Sequence, residues 1–212
     1  MQIVHTVGND SLLCDLAETE TPPRLVYSDV KHVFRDTAQC EYFIVRQKIY
    51  DMLIQAKSFL PEGVYFKAFE LYRPMKKQIL CWEKILADFQ KRYPDADSAQ
   101  LEEKANTFIA NPYKQGSGHQ TGAAIDLTLC DRNGTELDMG TKYQEFNSLT
   151  QTFPDNDRLT ARQKENRKIL CRSMERAGFV NYFPEWWHYS YGEIEWAVIT
   201  HTGKTLYLPL NI

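Results

Sequence analysis

From Glu41 to Leu60 the apolar residues Phe43, Ile44, Ile49, Met52, Leu53, Ala56 and Leu60 recur at threes and fours. That spacing lines one face of a helix, and Pro61 with Gly63 stops it. Val64 to Glu70 is rich in β-formers and is expected to be a strand; Arg73-Pro74 then turns the chain into a second helix over about Met75 to Arg92. A third helix, SAQLEEKANTFI, is expected to open with Ser98 as its N-cap and Glu102 near its first turn. Beyond Asn111-Pro112 the period changes. Ala123, Ile125, Leu127 and Leu129 face one way and Ala124, Asp126 and Thr128 the other, a strand with one packed face and a carboxylate on the opposite face. Asn133-Gly134 marks a turn, and a fourth helix runs roughly from Leu159 to Ala177 with Gly178 just past its end. The tail, WWHYSYGEIEWAVIT and then TLYLPL, is expected to form strands, and the first 40 residues, with Pro22-Pro23, an irregular wrap around the core.

Strands and helices do not alternate strictly, which favours an α+β fold with a small, mainly antiparallel sheet flanked by helices over a parallel α/β fold. At 212 residues a single domain over 1–212 is expected. Apolar residues make up 43% and aromatic residues 13%, which excludes a disordered chain, and a net charge of -3 offers no basic surface for nucleic acid. No run approaches the roughly 18–20 apolar residues that cross a bilayer. The five cysteines, Cys14, Cys40, Cys81, Cys130 and Cys171, are scattered and form no C-x-x-C pair. Reduced, mostly buried thiols are expected, with Cys130, four residues past Asp126, placed to meet oxidants or stray metal. The opening residues lack a basic segment followed by an apolar one, so a cytoplasmic protein is expected.

The chain has no H-E-x-x-H, G-x-S-x-G, P-loop or G-x-G-x-x-G motif. Two polar islands remain in apolar surroundings: His119 with Asp126 in GSGHQTGAAIDL, and Glu185 with His188 in PEWWHY. Two imidazoles and a carboxylate make a three-ligand zinc set that leaves a fourth position open, the pattern of a catalytic site. A further carboxylate nearby can take a proton from water. In an extended chain Glu185 and His188 point to opposite faces, so convergence requires a turn at Trp186-Trp187. His119 and Asp126 require a tight loop, which Gly116, Gly118 and Gly122 permit. Trp186 and Trp187 are expected to serve packing, while His5, His32 and His201 have no partner pattern.

Taken together, S-G-H-Q-T-G-A-A-I-D, L-D-M-G-T and E-W-W-H-Y, with E-L-Y-R-P upstream, resemble the zinc D-alanyl-D-alanine metallopeptidases, and most of all the VanX-type D-alanyl-D-alanine dipeptidases. The similarity runs in order from about Val64 to Tyr191. It implies one zinc ion per chain at the sheet, with His119, Asp126 and His188 as ligands and Glu185 as catalytic base. It also implies Arg73 as the group that steadies the carbonyl oxygen as it gains charge, and Ser117 as a substrate contact. The implied partner is a small D-dipeptide.

Three departures stand out. The dipeptidases commonly carry an aspartate shortly after M-G-T to hold the substrate ammonium, where this chain has Gln144 with Glu145 beside it; either Glu145 or another acid substitutes, or amino-terminal recognition is relaxed. Leu71 stands where the family usually has glycine and is expected to narrow the pocket, and H-Q-T-G is worded like the D,D-carboxypeptidase branch. Zinc-dependent hydrolysis of D-alanyl-D-alanine is therefore the leading expectation. The alternatives are a D,D-carboxypeptidase trimming peptidoglycan precursors and a zinc-stabilised binding module without catalysis.

Overall fold

The computed structural model describes residues 25–26, 33–114, 116–153, 158–210 and 212. Seven strands and five α-helices follow in order: β1 Leu25–Val26, β2 Val33–Arg35, β3 Val45–Arg46, α1 Gln47–Lys57, β4 Tyr65–Glu70, α2 Met75–Arg92, α3 Ser98–Ala105, β5 Ala124–Cys130, α4 Ala161–Arg176, β6 Val180–Asn181, β7 His188–Ser190 and α5 Ile194–Ile199. A 3-10 turn at Gly118–Thr121 leads into β5.

The five-stranded sheet has the order β2-β4-β5-β7-β6, and β1 pairs with β3 separately. Only β2 and β4 run parallel, so the sheet is mixed, antiparallel in its other three pairings. β5 is its centre and is buried along its whole length. Ile125, Leu127 and Leu129 join Phe66 and Ala68 of β4 in the main core, against Ile49, Met52 and Leu53 of α1 and Leu170 and Met174 of α4. The opposite face of β5 carries Asp126. A smaller core, Trp82, Phe89, Leu101 and Ala105, joins α2 to α3. None of the described helices is long and apolar enough to cross a membrane.

The strand at 65–70 and the helices at 75–92 and 161–176 form where periodicity places them. α1 starts later than expected because Val45 and Arg46 are taken by β1, tertiary pairing overriding helical periodicity. α3 is capped by Asp97 rather than Ser98: the Asp97 carboxylate accepts from Gln100 N, and the Gln100 side chain returns to Asp97 N. The expected strand through the tail ends at Ser190, and Ile194–Ile199 is helical because Glu193 accepts from the backbone N–H groups of Glu195 and Trp196. TLYLPL forms none of the described strands. The irregular wrap expected over 1–40 lies mostly outside the described residues, as do Cys14, His5 and His32; the described part of it contributes β1 and β2.

Cys40, Cys81, Cys130 and Cys171 are free thiols. Burial pushes Cys40, Cys130 and Cys171 up to about 12, in keeping with the reduced, mostly buried thiols expected.

Candidate metal centre

Register across the sheet creates the site. Asp126 lies opposite His188 in the β5–β7 ladder and opposite Glu70 in the β4–β5 ladder, where a bulge shifts the register between Ala68 and Glu70. Three polar residues thus stand in a row across three adjacent strands. The turn needed between Glu185 and His188 is present at Trp186-Trp187, with His188 N donating to Glu185 O at 3.3 Å. The loop needed before Asp126 is present as well. Ser117 caps the 3-10 turn through its hydroxyl, which accepts from His119 N, and Gly122 leaves the turn in the left-handed region at φ 70°. The Thr121 carbonyl accepts from buried Arg46 at 2.7 Å, and Gln120 O accepts from Leu210 N at 2.8 Å, which pins this turn from outside.

His119, Asp126 and His188 are buried, and their ligand atoms all lie within 4.8 Å of one another. Asp126 Oδ1 is 2.8 Å from His188 Nδ1 and 3.4 Å from His119 Nε2. A tetrahedral ion about 2.0–2.1 Å from each of two donors separates them by about 3.3 Å, so the spacing and the N,N,O donor set fit zinc. Each of the three side chains is held from behind. His119 Nδ1 lies 2.8 Å from the Leu71 carbonyl, the Tyr143 hydroxyl donates to Asp126 Oδ2 at 2.8 Å, and His188 Nε2 lies 3.0 Å from Glu195 Oε2. Burial by itself would raise the Asp126 pKa, but the two imidazoles outweigh it and hold the carboxyl far below the usual range.

A cavity of about 360 Å³ opens beside these three residues, and Arg73, Ser117, Gln144, Glu185 and Glu195 are on its wall. Burial pushes the Glu185 carboxyl up to about 8, and the negative charges of Asp126 and Glu195 add to this against the opposing effect of His188. Arg73 is clamped to the first histidine by its own backbone: Arg73 N donates to His119 O at 3.1 Å while Leu71 O faces the ring. Its guanidinium pairs with Glu70 and donates to Gln78 Oε1 at 2.7 Å, and Nε has no acceptor among the described residues. Burial disfavours its charge, but Glu70 more than offsets this and keeps it protonated.

The structure therefore brings together His119, Asp126, His188, Glu185, Arg73 and Ser117. Glu145 is elsewhere: its carboxylate accepts from Lys142 N at 2.9 Å and Asn147 Nδ2 at 3.1 Å, and it is absent from the cavity wall, where Gln144 stands instead. Leu71 is buried in the main core, not on the wall. Trp187 does pack, with ring centroids 5.4 Å from Tyr143 and 5.7 Å from Phe146, and also lines the cavity. Tyr143 and Glu195 were not anticipated. Tyr143 sits one residue before Gln144 in a segment whose only sequence signal was its neighbours, and Glu195 was hidden in a stretch taken for a strand. The Tyr143 loop is anchored by buried Arg167, which donates to Met139 O at 2.7 Å and Leu149 O at 2.8 Å.

The Peptidase_M15 family model, described as D-ala-D-ala dipeptidase, matches residues 25–201. A D-alanyl-D-alanine dipeptidase from Synechocystis sp. is 29% identical over 180 residues, 73% of this chain and 72% of the relative. A D-alanyl-D-alanine dipeptidase from Escherichia coli is 28% identical over 127 residues, 60% of this chain and 55% of the relative, so that match spans little more than half of the second protein. Among solved structures, VanYB in complex with D-Alanine-D-Alanine is similar over 92% of this chain and 95% of that chain, at 23% identity and a TM-score of 0.46.

Proposed function

The chain belongs to the D-ala-D-ala dipeptidase family of peptidases, and from that premise we propose that it hydrolyses D-alanyl-D-alanine, or a closely related small D-dipeptide, with one zinc ion held by His119, Asp126 and His188. Zinc bound there supplies Lewis-acid polarisation of the scissile carbonyl and acidifies the attacking water. Glu185 takes the proton from that water and passes it to the leaving amine. Burial by itself raises the Glu185 carboxyl, and the charge of bound zinc would bring it back toward the range in which it serves as base. Arg73 offers donors to the carbonyl oxygen as charge grows on it, and the Glu70 contact keeps that fork oriented and charged. Ser117, on the cavity wall beside His119, contacts the substrate.

The observation that carries this reading is the convergence of three buried ligands, a raised carboxyl and a buried guanidinium on one cavity. The test is a substrate panel with zinc-loaded protein, with and without chelator: D-alanyl-D-alanine, its N-acetyl form, the L,L isomer and a pentapeptide ending in D-alanyl-D-alanine. Chelator-sensitive release of D-alanine from the free dipeptide is expected. Glu185→Gln should retain zinc while turnover falls by about 10²–10⁴-fold, the contribution typical of a positioned general base. Failure of zinc-loaded protein to cleave the free dipeptide while it cleaves the longer peptides would sink the dipeptidase reading.

One observation favours a second reading, D,D-carboxypeptidase activity. The neutral Gln144 lines the cavity, and Glu145 is turned into its own loop. A site in which neither Gln144 nor Glu145 offers a charge to the substrate ammonium has less reason to demand a free amino terminus. Equal cleavage of N-acetylated and free substrates would favour it.

A further inference from the structure

The three ligands are supported in chemically different ways. His119 has a neutral backbone carbonyl behind it and Asp126 a phenol, but His188 has a carboxylate, with Glu195 Oε2 3.0 Å from Nε2. Nδ1, the other ring nitrogen of His188, is the one that faces Asp126 at 2.8 Å. A neutral imidazole has one donor and one acceptor nitrogen, and whichever partner claims the proton decides which lone pair is free.

Glu195 is itself held in place. It lies in the first turn of α5, and the Glu193 carboxylate accepts from its backbone N–H at 3.0 Å. Glu193, fully buried, is also packed against the turn that carries His119: a Cβ on Gly118 would meet Glu193 Oε2 at 2.6 Å. The short helix α5 thus rests against one histidine-bearing segment and aims a carboxylate at the other histidine.

We infer that Glu195 is a positioning residue, whose carboxylate oxygen, 3.0 Å from His188 Nε2, keeps the ring proton on that nitrogen and leaves the Nδ1 lone pair directed at the metal position. This rests on the reading of His188 as a ligand. The carboxylate also makes the imidazole a stronger donor, the role such outer partners play behind metal-bound histidines.

The experiment measures the zinc dissociation constant by chelator competition and the absorption spectrum of the cobalt-substituted protein for wild type, Glu195→Ala, Glu195→Gln and His188→Ala. Glu195→Ala is expected to weaken zinc by about 10–100-fold and to shift the cobalt bands, because ring orientation is no longer fixed. Glu195→Gln, which keeps an acceptor oxygen, should recover most of the affinity, and KM of the zinc-saturated variants should stay close to that of wild type. Glu195→Met, similar in length and without a strong acceptor, replaces the alanine variant if that protein does not fold. Equal zinc constants and identical cobalt spectra in wild type and Glu195→Ala, with His188→Ala losing metal, overturn the inference and leave the ligand assignment standing. Raised KM with unchanged zinc affinity also overturns it, making Glu195 a substrate contact. If His188→Ala binds zinc as wild type does, the ligand reading fails and the inference with it.

Discussion

Gln144 combines two unusual properties. It is one of only two non-glycine residues among those described with positive φ, at 58°, and it lines the cavity. Aspartate tolerates that left-handed backbone well, so Gln144→Asp adds a charge there with little conformational cost. If the dipeptidase reading holds, the variant should prefer free over N-acetylated dipeptide by about tenfold more than wild type does, the equivalent of ~1.4 kcal/mol from one charge-assisted bond. Comparing kcat/KM for the two substrates checks it; an unchanged ratio would place the ammonium elsewhere. At this scale the two histidines, Asp126, Glu185 and Arg73 were legible because their short motifs carry chemistry in their wording. Tyr143 and Glu195 were not, since each matters only through a partner from another element: Tyr143 reaches Asp126 from 17 residues away, and Glu195 comes from a helix that returns to β7.

Turns deliver most of the site's side chains. The 3-10 turn at Gly118–Thr121 and its exit at Gly122 set the angle between His119 and β5. A Cβ at Gly122 would stand 3.1 Å from Leu210 Cδ1 in a backbone with φ 70°. Gly122→Ala should therefore destabilise the protein by about 1–2 kcal/mol from the left-handed backbone, with any displacement of Leu210 adding to the loss. A lower urea midpoint at unchanged slope checks this, and a midpoint within error of wild type would contradict it. Glycine spacing made this loop legible in advance, as period two did for β5 and period 3.6 did for α2 and α4. The elements that were misjudged are those where context overruled local pattern. Val45 and Arg46 left the helix to form β3 against β1, and Trp196, Val198 and Ile199, strand formers by composition, were drawn into α5 by the Glu193 cap.

Across the whole molecule, burying charge beside charge makes stability depend on pH. Burial alone would raise the pKa of Glu70, but Arg73 outweighs it and lowers the pKa below its ordinary value of 4.5. A carboxylate depressed in the folded state contributes stability that is fully present above the unfolded pKa and is lost as pH falls through the folded value. The Glu70 contribution should thus be level above about pH 4.5 and decline below it, set against the opposite slope that the raised Glu185 carboxyl gives between about 4.5 and 8, and Glu70→Gln should flatten part of the acid decline while lowering stability at pH 7. Urea titrations from pH 3 to 7 measure both; a Glu70→Gln profile parallel to wild type would remove Glu70 from the linkage. The mixed sheet also bears on how the chain reaches its native state. Because side chains alternate along a strand, a one-residue slip of β5 against β7 would turn Asp126 toward the apolar core and Ile125 toward the cavity. If His119, Asp126 and His188 hold the metal as proposed, a mispaired chain keeps its strand content yet cannot chelate, so metal binding would favour the correct register over its nearest error.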